Sequence, residues 1–252
     1  MNLNVYQHIL NRKKNGEKGF ALLVDPDKYD SKKLDLLIRS ALDAHVDYFL
    51  VGGSLLSEDN FQKTILQLKI QSKIPVVIFP GSTIQIDRNA DALLYLSLIS
   101  GRNPDLLIGK HVESSLLIRK AHLEAISTGY MLIDSGQLTS VNYMSHTLPI
   151  PFDKNEIAVA TALAGQLLGM QLIYLEAGSG ALNPISTTMI EAVSNSLSIP
   201  LIVGGGIKTP EKAIDNITAG ADIIVIGNAI EKDPSIIMDM SAAIHSLNTK
   251  VH

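Results

Sequence analysis

Tyr174 and Glu176 stand two apart, at the end of and just beyond the apolar run that closes at Leu175. On a strand, that spacing points both side chains to the same face. A phenol and a carboxylate so placed could hold a substrate hydroxyl and accept its proton. The glycine-rich turn Ala177-Gly178-Ser179-Gly180 follows at once. Two more glycine turns come later, Val203-Gly204-Gly205-Gly206-Ile207 and Val225-Ile226-Gly227-Asn228-Ala229, each after a β-branched run and before a helical stretch. Glycine lets backbone amides approach phosphate oxygens, and the helix N-terminus beyond favours the negative charge. A run of glycines can also serve only a tight turn. Two such turns at the ends of consecutive strands, with a third before them, point to a phosphorylated ligand.

A second chemistry is suggested by Asp25 and Ser54, which close the first two apolar runs within Val24-Asp25-Pro26-Asp27 and Gly52-Gly53-Ser54. A carboxylate and a hydroxyl are suitable oxygen ligands for Mg2+, which completes its shell with water and substrate phosphate. Asp25 could equally cap the turn that Pro26 begins, and Ser54 could N-cap the next helix. Spacing alone leaves both readings open. Arg102, in Ser100-Gly101-Arg102-Asn103-Pro104, is either a diphosphate contact or a loop arginine. Lys28, Lys110 and Lys208 are read as solvated lysines. The seven histidines form no H-x-H or H-E-x-x-H pattern, so a histidine metal site is not expected.

The elements that must position these residues recur regularly. Apolar runs occupy Phe20–Val24, Tyr48–Val51, Val76–Phe79, Ala92–Leu96, Tyr130–Ile133, Leu172–Leu175, Leu201–Val203 and Ile223–Ile226. Such unbroken runs suit strands buried on both faces of a parallel sheet. Amphipathic segments lie between them: from a Ser31 N-cap to about Ala44, Glu58 to Ser72, Pro104 to about Ile126, and Glu156 to Gly169. Further helical stretches start near Pro184, Pro210 and Pro234. Eight β-α repeats predict one α/β domain over residues 1–252, a (β/α)8 TIM barrel whose active site lies at the C-terminal strand ends. The connection PGSTIQIDRNAD, after Phe79, is too short for a crossover helix, so the third barrel helix is expected to be missing or modified. That would leave an open flank able to admit a long ligand. Ser135 to Lys154 forms a long loop, of the kind used for function or for subunit contact.

Composition excludes other classes. The 252 residues carry a formal net charge of -4, no basic block and no Trp, which argues against a nucleic-acid surface. Without cysteine there are no disulfides, no thiolate nucleophile and no cysteine-ligated zinc. The start lacks the apolar stretch of a secretory signal, and no run reaches the roughly 18 apolar residues of a membrane helix. A cytoplasmic protein without an integral membrane segment is expected.

These motifs together resemble the geranylgeranylglyceryl phosphate synthase family. Tyr174-Leu175-Glu176-Ala177-Gly178-Ser179-Gly180 is the most specific piece. Val203-Gly204-Gly205-Gly206-Ile207, Ile226-Gly227-Asn228, Val24-Asp25-Pro26-Asp27, Val51-Gly52-Gly53-Ser54, Ile78-Phe79-Pro80-Gly81 and Ser97 to Pro104 complete the set. The resemblance covers about Phe20 to Ile230. It implies a prenyltransferase that joins sn-glycerol 1-phosphate to geranylgeranyl diphosphate through an ether bond, releasing diphosphate. By similarity, glycerol phosphate lies along Tyr174, Leu175, Glu176, Ala177, Gly178, Ser179 and Gly180. Its phosphate is held by Gly205, Gly206, Gly227 and Asn228, and Asp25 and Ser54 match the Mg2+ positions. Tyr174 would orient the glycerol and Glu176 would take its proton or position its hydroxyl. The family also implies a homo-oligomer, dimer or hexamer. A lipid-like product is compatible with transient membrane contact. Bacterial relatives that use longer prenyl chains commonly carry Lys where this chain has Leu23, which favours the geranylgeranyl donor. Two alternatives stay open: a longer polyprenyl diphosphate in the same reaction, and a non-catalytic barrel that binds a phosphorylated ligand. A sugar-phosphate isomerase or lyase fits less well, because no lysine closes any strand.

Overall fold

The computed structural model describes residues 4–53 and 60–248. Eight parallel strands close into a barrel in chain order. They are β1 (Gly19–Val24), β2 (Tyr48–Val51), β3 (Val76–Ile78), β4 (Ala92–Leu98), β5 (Glu124–Leu132), β6 (Leu172–Glu176), β7 (Leu201–Gly204) and β8 (Ile223–Ile226). Closure is made by β1 against β8, with Gly19 opposite Ile223. Alternate residues divide the core. Ala21, Leu50, Val77, Leu94, Tyr174 and Ile202 fill the barrel, while Leu22, Phe49, Ile173, Val203 and Ile224 face the surrounding helices. Burial on both faces is why the strands are unbroken apolar runs in the sequence.

The outer layer comprises α2 (Ser31–Asp43), α3 (Phe61–Gln71), α4 (Lys110–Ala121), α6 (Asn155–Leu167), α7 (Thr187–Ser196), α8 (Pro210–Thr218) and α10 (Ile237–His245). Three boundaries differ from expectation. The N-cap of α2 is Asp30, not Ser31: its carboxylate accepts the Lys33 amide at 2.9 Å. The segment from Pro104 is not one helix to Ile126. A π-helical turn (Asp105–Gly109) leads into α4, and His122 ends α4 in the left-handed region at φ 56°. Ile126 already belongs to β5, which starts at Glu124 rather than Tyr130. The polar stretch Ser127-Thr128-Gly129 interrupts the apolar signal there, although Thr128 is fully buried.

No helix follows β3; the chain from Phe79 to Asp91 runs through turns and irregular backbone. The expected gap in the helical layer is therefore present. At the opposite end of the barrel, α1 (Val5–Lys14) inserts Val5 and Ile9 into the interior cluster. The Glu124 carboxylate accepts the amides of Val5 at 2.7 Å and Tyr6 at 3.0 Å, placing negative charge at the helix N-terminus. Arg12 pairs with Asp47 at 2.8 Å and Lys13 with Asp222 at 2.7 Å, tying α1 to the strand starts. Among the described residues no helix is long and apolar enough to cross a membrane.

Candidate active site

Glu176 is the last residue of β6 and only 6% exposed. Its Oε1 accepts the Gly178 amide at 2.6 Å. Burial pushes its carboxyl up to about 7, against the Gly178 amide and the Tyr174 hydroxyl, both of which favour the ionised form. The Tyr174 hydroxyl lies beside this carboxylate but finds no well-aligned partner of its own. A buried hydroxyl without a well-aligned partner is costly. Burial, then the charge of Glu176, holds the Tyr174 phenol far above its ordinary range. The pair therefore combines a carboxyl that ionises near neutrality with a phenol that stays protonated.

The glycine turns close around this pair. Gly205 and Gly206 adopt φ +84° and +71°, backbone that disfavours other residues. A Cβ on Gly205 would stand 2.5 Å from Glu176 Oε1 and 2.7 Å from the Gly178 amide nitrogen. A Cβ on Gly204 would collide with the Tyr174 hydroxyl. The turn after β7 thus rests directly on the β6 carboxylate. Gly227 precedes the short α9 (Asn228–Lys232), and Asn228 Nδ2 donates to Ser179 Oγ at 3.0 Å, joining the turns after β6 and β8. Tyr174, Glu176 and the turns carrying Gly178, Ser179, Gly180, Gly205, Gly206, Gly227 and Asn228 meet at these strand ends, whereas Leu175 and Ala177 turn outward and pack among the helices.

The long loop after β5 secures the same turns. It contains the short α5 (Ser140–Ser145) and a bridge between Ile133 and Ile150. Gln137 Nε2 donates to the Gly180 carbonyl at 2.6 Å, and the Asn183 amide to the Ser135 carbonyl at 3.1 Å. A Cβ on Gly178 would come within 2.5 Å of Thr139 Cγ2. Nothing in the local spacing marked these contacts.

The other side of the mouth is apolar. Leu23 near the end of β1, Phe79 after β3, Leu96 on β4, Leu106 in the π-helical turn and Val141 on α5 are partly buried and pack on the barrel interior. Leu23 lies against Gly227, whose Cβ would stand 3.2 Å from Leu23 Cβ.

Asp25 Oδ1 accepts the Asp27 amide at 3.1 Å, and the Asp25 carbonyl accepts the Lys28 amide at 3.0 Å, so the capping role is present. It does not exhaust the carboxylate. Burial raises Asp25; burial and then the charge of Asp25 raise Glu231 of α9, which the sequence did not single out. A carboxylate whose charge disfavours ionisation of a second one nearby, both oxygen donors, is of the chemistry that suits a hard divalent cation. No group of three or more His, Cys, Asp or Glu side chains able to hold a metal occurs among the described residues. Mg2+ commonly needs fewer protein ligands than that. Ser54 lies outside the described residues. Arg102 is exposed, sits at φ 55° and turns its guanidinium back to the Ser100 carbonyl at 3.3 Å, as a loop arginine does. Lys28 is exposed and acts on both Asp25 and Glu231. Lys110 pairs with Glu113 at 2.9 Å.

A closed parallel barrel, with glycine turns after β6, β7 and β8 around a buried carboxylate, defines a (β/α)8-barrel protein with its candidate site at the C-terminal strand ends. Comparison with known proteins gives the family. The PcrB family model matches residues 11–246. Geranylgeranylglyceryl phosphate synthase of Chitinophaga pinensis is 51% identical over 246 residues, covering 98% of each chain. That of Spirosoma linguale is 47% identical and covers 95% of this chain and 96% of its own. The crystal structure of (S)-3-O-geranylgeranylglyceryl phosphate synthase from Thermoplasma acidophilum, in complex with substrate sn-glycerol-1-phosphate, superposes with a TM-score of 0.91 at 30% identity. It covers 97% of this chain and 99% of its own. The chain belongs to the PcrB family of geranylgeranylglyceryl phosphate synthases.

Proposed function

We propose that this protein transfers the geranylgeranyl group from its diphosphate to the C3 hydroxyl of sn-glycerol 1-phosphate. The observation that carries the reading is the divided mouth: a buried Glu176–Tyr174 pair ringed by glycine turns on one side, and Leu23, Phe79, Leu96 and Leu106 on the other. Each half suits one substrate. The phosphate of the acceptor is held by the turns at Gly205, Gly206, Gly227 and Asn228, which leaves its C3 hydroxyl near Glu176. The Tyr174 hydroxyl, beside the Glu176 carboxylate, orients the glycerol. The donor chain lies on the apolar half and leaves through the flank that has no helix after β3.

Glu176 ionises near neutral pH, so it can accept the hydroxyl proton as the oxygen closes on the allylic C1. The C1–oxygen bond to diphosphate breaks, and the electron pair departs with the diphosphate. Bringing the hydroxyl and C1 together is a positioning task of the two halves. Asp25, with Ser54, would hold Mg2+, which when bound supplies positive charge to the leaving diphosphate. The exposed apolar side chains Leu138, Tyr143, Leu148 and Phe152 around the long loop support a homo-oligomer, dimer or hexamer. A cytoplasmic location, with transient membrane contact to deliver a lipid product, completes the reading.

The test incubates the protein with Mg2+, geranylgeranyl diphosphate and racemic glycerol phosphate, and reads products by mass spectrometry. The ether product, absent without Mg2+, is expected. A series of longer donors ranks chain length. Glycerol phosphate binding without product from any donor would leave the non-catalytic barrel as the better reading.

A further inference from the structure

Three aromatic rings meet inside the barrel at the border between the two halves of the mouth. Phe79, the residue after β3, lies parallel to Tyr174, with ring centroids 5.3 Å apart and planes 2° from parallel. Tyr130 of β5 meets both edge-on, at 5.8 Å from Phe79 and 5.3 Å from Tyr174. The tyrosines are buried, while Phe79 is only partly so. Stacking on Tyr174 and the steep contact with Tyr130 fix the Phe79 ring. It stands at the strand end that borders the helix-free flank. A donor chain entering over the apolar half therefore reaches Phe79 before it reaches Glu176.

We propose that Phe79 is a catalytic residue whose ring supports the allylic carbon of the donor while its bond to diphosphate breaks. The inference rests on the prenyl-transfer reading. In that step the electron pair of the C1–oxygen bond leaves with diphosphate, and positive charge spreads over C1 and C3 of the allyl unit. The glycerol oxygen then forms the new bond to C1 and its proton passes to Glu176. Until that bond forms, water can capture the cation and give a prenyl alcohol. A carboxylate at position 79 would itself be alkylated. A π face attracts the cation without taking the carbon, and it excludes water. Parallel stacking on Tyr174 holds that face beside the residue that orients the acceptor.

The test uses Phe79→Leu, which keeps an apolar side chain and removes the ring, and Phe79→Tyr, which keeps the ring. Ether product and prenyl alcohol are measured together from geranylgeranyl diphosphate, with kcat and the KM for sn-glycerol 1-phosphate. Phe79→Leu is expected to lose about tenfold in kcat, equivalent to about 1.4 kcal/mol, and to raise the share of alcohol. The acceptor KM should stay within about twofold, and Phe79→Tyr should restore both rate and product ratio. Because Phe79→Leu disturbs a packed trio, a second series replaces Phe79 with phenylalanines of increasing ring fluorination, which keep the shape and weaken the π face. A stepwise fall in kcat with fluorination is expected. A flat fluorination series, or wild-type kcat and product ratio in Phe79→Leu, overturns the proposal while leaving the prenyl-transfer reading intact. A wild-type protein that makes no ether overturns both.

Discussion

The Glu176 carboxylate and the Gly178 amide are 2.6 Å apart, so the group proposed to take the acceptor's proton is bonded to the turn proposed to wrap that acceptor. The bond favours the ionised carboxylate while burial opposes it, and the balance leaves Glu176 near 7. A carboxyl at its ordinary value would be a weaker base.

Activity should follow that balance. Glu176 must be ionised to accept a proton, so kcat/KM should fall as pH drops through about 7. Glu176→Gln should lower kcat by roughly 10²–10⁴-fold, within the range of a lost general base, and change glycerol phosphate affinity by only a few-fold. Steady-state rates from pH 5 to 9 check this. Wild-type turnover in Glu176→Gln removes Glu176 from the chemistry.

The same carboxyl sets a stability trend. Its proton is held more tightly in the folded chain than in the unfolded one, since burial raises it from 4.5 to about 7. The folded form therefore binds more protons between these values, and its stability is present below about 4.5 and lost as pH rises through about 7. Each tenfold in proton affinity is worth about 1.4 kcal/mol, so the loss is of the order of 3 kcal/mol. Glu176→Gln should be more stable than wild type at pH 8 and close to it at pH 5. Urea denaturation at both values checks the sign; equal midpoint differences would contradict it.

Gly205→Ala should damage the site through geometry alone. The new Cβ would meet Glu176 Oε1 at 2.5 Å, on backbone at φ +84°. The left-handed conformation costs about 1–2 kcal/mol, and the collision displaces the carboxylate as well. We expect glycerol phosphate affinity to weaken by more than tenfold and the acid limb of the pH profile to move. Calorimetric titration and the pH profile together check both; wild-type affinity would mean that the turn does not hold the phosphate.

Asp25→Asn separates two roles. Asparagine can still accept the Asp27 amide, so the turn should persist, but the charge is gone. The Mg2+ concentration for half-maximal rate should rise at least about tenfold, with little change in thermal midpoint. An unchanged Mg2+ dependence would reduce Asp25 to its capping role.

Much of this site was legible because its parts are local. Tyr174 and Glu176 lie two apart on one strand, and the glycine turns sit next to their strands, so spacing alone placed them. The absent helix after β3 followed from a connection too short to hold one. What was not legible is assembled from distant segments. Phe79, Tyr130 and Tyr174 come from the turn after β3, from β5 and from β6, and meet only after closure. Glu231 approaches Asp25 because β8 pairs with β1. The start of β5 was hidden by Ser127, Thr128 and Gly129, polar or small residues within a buried strand. Helix α1 buries only Val5 and Ile9, too few to stand out in a polar segment. Asp30 outcompeted Ser31 as the α2 cap, a one-residue shift that spacing cannot resolve.

The most direct test of the account gives the protein geranylgeranyl diphosphate and Mg2+ with each pure enantiomer, sn-glycerol 1-phosphate or 3-phosphate, and measures ether product by mass spectrometry. With phosphate fixed by the glycine turns and C3 hydroxyl fixed by Glu176, exchange of enantiomers misplaces the C2 hydroxyl beside Tyr174. The account predicts product from the 1-phosphate and almost none from the 3-phosphate. Equal rates with both, or no product from either in protein that binds the 1-phosphate, would contradict it.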